Sequence, residues 1–141
     1  MEGVNGKVKA DVPLVTFDPF QDRINVHRGT AEALGWPEYC RFLFHPKKKR
    51  FAVQACGAMD KGAERMPQSM DGTNRYVNSA WLVRFVFSAC GWKTDRTRRM
   101  NGVLQSRHRL VEFDLNDATE ITREETLNAE QKGNAFADRG K

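Results

Sequence analysis

The chain predicts an α+β fold: two tandem β-α-β-β units, 23–56 and 75–115, packed as a pseudo-twofold single domain with an acidic flexible tail. Three observations lead there. Ala33-Leu34-Gly35-Trp36 and Ala89-Cys90-Gly91-Trp92 share the pattern Ala-x-Gly-Trp. Each is preceded by a strand that opens on Arg (Arg23-Ile24, Arg75-Tyr76) and followed by Arg41 or Arg96 and a basic hairpin. Each unit closes on an alternating strand, Phe51/Val53/Ala55 or Val111/Phe113/Leu115, the period of a half-buried strand. The second copy is longer by about one helical turn, which a longer helix absorbs. One unit alone is too short to bury a core, so the two should pack together.

The elements follow in order. Residues 1–22 read as a leader in which Val12 to Phe17 suits an edge strand, because an edge tolerates the missing amide of Pro13. Ile24 and Val26 share one face of a strand over 23–28. Thr30 N-caps a short helix through Ala31, Ala33 and Leu34, stopped by Gly35 with Pro37 beyond. Tyr39 to His45 and Arg50 to Cys56 form a hairpin around Pro46, Lys47, Lys48 and Lys49. Residues 57–74 show no period and read as a loop. Arg75 to Val77 is a short strand, and Asn78 or Ser79 caps a helix from Ala80 to Cys90 that stops at Gly91. Leu82, Phe85, Val86 and Ala89 make its core-facing stripe, and Trp81, Val83 and Phe87 widen it to a second side. Arg96 to Met100 and Arg109 to Leu115 flank a turn at Asn101-Gly102. Residues 116–141 offer only Ile121, Leu127 and Phe136 for burial and read as a frayed helix followed by the disordered tail.

Charge points toward function. The 141 residues carry 23 Lys plus Arg and 18 Asp plus Glu, a net of +5. Residues 1–111 hold 19 of the cations and 10 of the acids, and residues 112–141 hold 4 and 8. A basic body with an acidic tail is one footprint of a polyanion binder, the alternative being a solvated charged surface. Non-enzymatic nucleic-acid binding is therefore expected, through Arg28, Arg41, Lys47, Lys48, Lys49, Arg50, Lys93, Arg96, Arg98, Arg99, Arg107 and Arg109. Such side chains reach phosphates or guanine edges. Trp36, Tyr39 and Trp92 stand near them as stacking candidates. For Trp36 and Trp92 a plug in the core carries more weight. The acidic tail can fold back on this basic surface as a counter-charge.

Enzyme chemistry finds no constellation. His27, His45 and His108 stand outside ligand motifs, and no Cys-x-x-Cys occurs. Cys40, Cys56 and Cys90 lie on apolar runs, odd in number and far apart, which argues against a disulfide scaffold. Gly57 and Gly62 make no phosphate loop, and Ser79, Ser88 and Ser106 no nucleophile elbow. No catalytic residue, metal or cofactor is expected. No apolar run approaches the ~20 residues of a membrane span, so the expected location is the cytoplasm.

Arg23-Ile24-Asn25-Val26, a short helix ending in Leu34-Gly35, and a hairpin closing in an alternating strand resemble the AbrB/MazE-type swapped-hairpin domain. The duplication within one chain resembles the MraZ family. That resemblance implies a DNA-binding transcription regulator. The chain also looks like small proteins of bacterial phages and mobile elements, which implies a regulator or an anti-defence protein. The competing function is thus a phage-encoded inhibitor that binds a host protein or sequesters a nucleotide, with Met59, Met66 and Met70 as an adaptable surface. Expected partners are DNA or RNA, with the host protein or nucleotide as alternative, no membrane, and a homodimer left open.

Overall fold

A computed structural model describes residues 12–66 and 74–122. The first part of the leader, Met70 and nearly all of the acidic tail lie outside the described residues.

Alternation builds the strands. In β1 (Leu14–Asp18) Val15 and Phe17 are fully buried, and β2 (Arg23–His27) buries Ile24 and Val26 in the same way. Asp18 ties the turn between them, its Oδ1 accepting from the backbone N–H of Phe20 at 2.9 Å and of Gln21 at 3.3 Å. The first helix, α1 (Arg28–Ala33), starts two residues before its expected cap. Thr30 lies inside it, buried, and its hydroxyl donates to the carbonyl of Leu14 at 2.7 Å. The hairpin of β3 (Tyr39–His45) and β4 (Arg50–Cys56) runs in register from Tyr39 opposite Cys56 to His45 opposite Arg50. There follow β5 (Glu64–Arg65), β6 (Asn74–Asn78), the second helix α2 (Ala80–Cys90), β7 (Thr97–Gln105), β8 (Leu110–Asp114) and β9 (Thr119–Ile121).

All pairings are antiparallel, in the order β5-β3-β4-β8-β7-β1-β2-β6, with β9 beside β7. The fold is mostly antiparallel sheet, curled into a half-barrel with two helices. This overturns the α+β pair of β-α-β-β units. Strands of the two expected units pair directly, β2 with β6 and β4 with β8. Nor is β1 an edge: it is inserted between β2 and β7. Two short units side by side would each leave unpaired strand edges, and one continuous sheet satisfies them. The long β7 is the seam, with β1 along one edge and β8 and β9 in succession along the other. Leu14 to Asp18 and Thr119 to Ile121, assigned by sequence to leader and tail, are therefore parts of the sheet.

The repeated Ala-x-Gly-Trp has a local meaning. In the first copy the N–H of Trp36 donates to Ala31 O at 2.8 Å and that of Gly35 to Glu32 O at 3.0 Å. In the second, Trp92 donates to Phe87 O at 2.9 Å and Gly91 to Ser88 O at 3.2 Å. Both are the paired bonds of a Schellman helix stop, with glycine in the left-handed region at φ 80° and 67°. The pattern encodes the same helix ending twice, not a duplicated domain.

Two further expectations are corrected. Asn101-Gly102 is no turn: β7 runs straight through, and the reversal comes at the one-turn 3-10 helix Ser106–His108. Gly102 is there for close packing, since a Cβ would stand 2.5 Å from Phe113 Cε2 and Val111 Cγ1 across the strand pair. On α2 the buried residues are Leu82, Val83, Val86 and Phe87, while Phe85 and Trp81 are exposed, Trp81 at 73%. Leu82 and Val86 of the expected stripe are buried, Val83 and Phe87 beside them are buried as well, and Phe85, though 41% exposed, meets β3 edge-on through Phe44 at 5.3 Å.

The curl encloses an aromatic core. Phe17 meets Phe51 edge-on at 4.9 Å, and Phe51 in turn meets Phe42 at 5.5 Å and Phe113 at 6.3 Å. Full burial of each such side chain contributes about 1.5–3 kcal/mol. Among the described residues no helix is long and apolar enough to cross a membrane.

Candidate nucleic-acid interface

The antiparallel pairing of β4 with β8 puts the β3–β4 turn and the β7–β8 turn at opposite ends of the same strands. A seven-residue strand separates them by roughly 20 Å. The basic residues singled out by sequence, Arg99 excepted, are thereby divided between two ends.

At the first end the β3–β4 turn, the exit of α2, the start of β7 and the Leu115–Asp117 turn converge. Lys49, in the left-handed region at φ 55°, accepts from the Leu115 N–H at 2.9 Å through its carbonyl. Lys49, Cys90, Trp92, Arg98, Leu115 and Glu120 line a cleft of about 190 Å³, which suits a phosphate-sized group and is below the usual size of a pocket for a whole ligand. Arg98 occupies an inward position of β7, opposite Phe17. Its guanidinium lies 5.5 Å from the Trp92 ring, and its Nη1 is 3.5 Å from Glu120 Oε2. Arg96 Nε is 3.8 Å from Glu120 Oε1, and Arg50 meets Glu112 at 3.8 Å and Asp114 at 3.6 Å. Lys47, Lys48 and Lys93 are exposed and carry no ion pair among the described residues. Trp92 packs against Phe87 at 5.2 Å and Phe17 at 6.3 Å, so it is a core residue with one edge on the cleft.

The second end holds Arg28, Trp36, Arg41, Arg107 and Arg109. Arg41 Nε donates to Gln54 Oε1 at 2.9 Å, and Gln54 Nε2 donates to His108 O at 2.9 Å, which ties β3 to the β7–β8 turn. Arg109, at φ 51°, reaches the Leu34 carbonyl with Nη2 at 3.4 Å. Arg107 is exposed on the turn. Tyr39, half-buried on β3, pairs with Cys56 and Arg65. Trp36 is 39% exposed and lies outside the core cluster, with the guanidinium of Arg75 at 4.4 Å and of Arg28 at 5.7 Å from its ring. Arg99 belongs to neither end. It faces outward from the sheet near His27, whose pKa is lowered to about 4 by burial first and by Arg99 second.

Sequence reasoning missed Arg75 and Glu120. Arg75 alternates with Val77 on the inward face of β6, and an Arg in an apolar register position was the available signal. Glu120 carried no signal within a polar stretch. Burial pushes the Cys40 thiol up to about 12 and raises Cys56 and Cys90 as well, which disfavours the thiolate at each. Among the described residues no group of three or more His, Cys, Asp or Glu could hold a metal. No protein-family model, no curated protein and no solved structure matches the chain.

Proposed function

We propose that the protein is a non-enzymatic nucleic-acid-binding protein that holds the phosphate backbone with its first end. One observation carries this reading. Lys49, Trp92 and Arg98 line one cleft, Lys47 and Lys48 directly precede Lys49 and Lys93 directly follows Trp92, and those three exposed lysines have no carboxylate partner among the described residues. Unpaired cations lose nothing when they meet phosphates, and the counterions they release drive binding. Arg98, held against Trp92, supplies a fixed guanidinium at the cleft, where a backbone phosphate fits.

Fluorescence anisotropy of a labelled duplex and of the matching RNA, each at 50 and 200 mM salt, tests the reading. Affinity should fall steeply with salt. Changing Lys47, Lys48 and Lys93 together to Ala should weaken binding and reduce the logarithmic salt slope by about 2 to 3. No binding of either nucleic acid near physiological salt, or a slope untouched by the triple change, overturns it.

A further inference from the structure

Among the described residues, the second end holds a cation without an anion. Arg75 is 2% exposed, and its Nε and Nη1 find no hydrogen-bond partner. It makes no ion pair among the described residues, whereas the other buried arginine there, Arg98, whose Nη1 likewise lacks a hydrogen-bond partner, has the Glu120 carboxylate 3.5 Å away. A guanidinium withdrawn from water without an acceptor is costly, and the cost is relieved by whatever anion can reach it. Burial first and the charge of Arg28 second lower the pKa of Arg75. Over it lies Trp36, exposed and in the left-handed region at φ 56°, a conformation unfavourable for a bulky residue and characteristic of functional strain.

We propose that Arg75, Arg28 and Trp36 form a binding site for a single phosphorylated nucleotide, the phosphate meeting Arg75 and Arg28 and the base stacking on Trp36. An arginine fork presents paired donors to phosphate oxygens, and an exposed indole offers a face to any base. The Nε and Nη1 of Arg75 are closed off from water, so binding through them entails a shift of the groups over them. Trp36, exposed and on strained backbone, is the one placed to yield. The nucleotide comes either free or as the phosphorylated end of a strand; the chemistry at the site is the same.

Thermal-shift and tryptophan-fluorescence titrations of the full chain with AMP, adenosine and inorganic phosphate test the site. AMP should raise the melting temperature and change the fluorescence, and each half-ligand should bind at least about tenfold more weakly. Arg75→Met, which swaps a buried charge for an apolar chain and should keep the fold, should weaken AMP at least about tenfold. Arg75→Lys, which keeps the charge and loses the fork, should fall between. A 5′-phosphorylated oligonucleotide titrated against the Lys47, Lys48 and Lys93 triple variant identifies the source. Binding assigns the strand end, and its absence beside retained AMP binding assigns the free nucleotide. No response of the unmodified protein to AMP, or equal binding by Arg75→Met, overturns the site. Phosphate binding as tightly as AMP removes the base from it. None of the mononucleotide arms involves the lysine end, so failure here leaves the duplex-binding reading standing, and the reverse.

Discussion

The two ends of the half-barrel are built from the same parts and treat them differently. Each has a helix stopped by glycine, a Trp directly after it and a buried arginine against that Trp. At the first end Trp92 is packed and Arg98 is neutralised by Glu120. At the second, Trp36 is exposed and Arg75 has no carboxylate among the described residues. The cause lies five residues earlier. A helix of Schellman type rests its last apolar side chain on the residue that accepts its amide. For Trp92 that residue is Phe87, whose ring stands 5.2 Å away, and for Trp36 it is Ala31, which offers only a methyl group. One substitution of aromatic by methyl separates a core plug from an available ring.

The largest expected effect breaks this comparison if it fails. Trp92→Ala removes a ring packed on Phe87 and Phe17 and should cost about 4 kcal/mol in urea unfolding. Trp36→Ala should stay within about 1 kcal/mol, because little packing is lost from an exposed ring. Equal losses would mean that both tryptophans hold the core.

Acid sharpens the contrast, because His27 stands immediately before α1 at the Trp36 end. Its Nε2 is 2.7 Å from Thr16 Oγ1, and the other group facing it is Arg99. The unfolded chain takes up the proton near pH 6.5 and the folded chain only near 4. The contribution is complete above pH 6.5 and falls as pH drops to 4, by about 3 kcal/mol in all. His27→Gln should flatten the pH dependence of unfolding over that window. An identical slope in both proteins would show that His27 is not held neutral.

What could be read beforehand was local. The spans of β2, β3, β4 and α2 follow from alternation, helical period and the glycine stop at Gly91. Long-range pairing was not legible, because a strand's pattern says which face is buried and nothing about its neighbour. Hence β1 read as an edge and lies inside the sheet. Gly102 read as a turn because glycine serves both tight turns and close strand packing, and only the positions of Val111 and Phe113 decide between them. The basic clusters were plain as charges, but their division between two ends depends on the antiparallel register of β4 and β8. Arg75 was seen only as the opening of a strand, since its near-complete burial is set by the neighbours that the fold brings around it.

The smallest effect concerns the carboxylate that distinguishes the ends. Glu120 meets Arg98 and Arg96 from β9, as Glu112 and Asp114 meet Arg50 from β8. Its side chain is 59% exposed, so the ion pairs are screened and Glu120→Gln should change stability by no more than about 1 kcal/mol. Its effect on binding has a definite sign. A carboxylate beside the cleft repels phosphate and competes for the two guanidinium groups, so its removal should tighten duplex binding by about threefold, most visibly at low salt. Weaker binding after the change would mean that Glu120 holds Arg98 in place for the phosphate. In that case the paired arginine is the organised site, and the contrast with Arg75 becomes one between a prepared cation and an unprepared one.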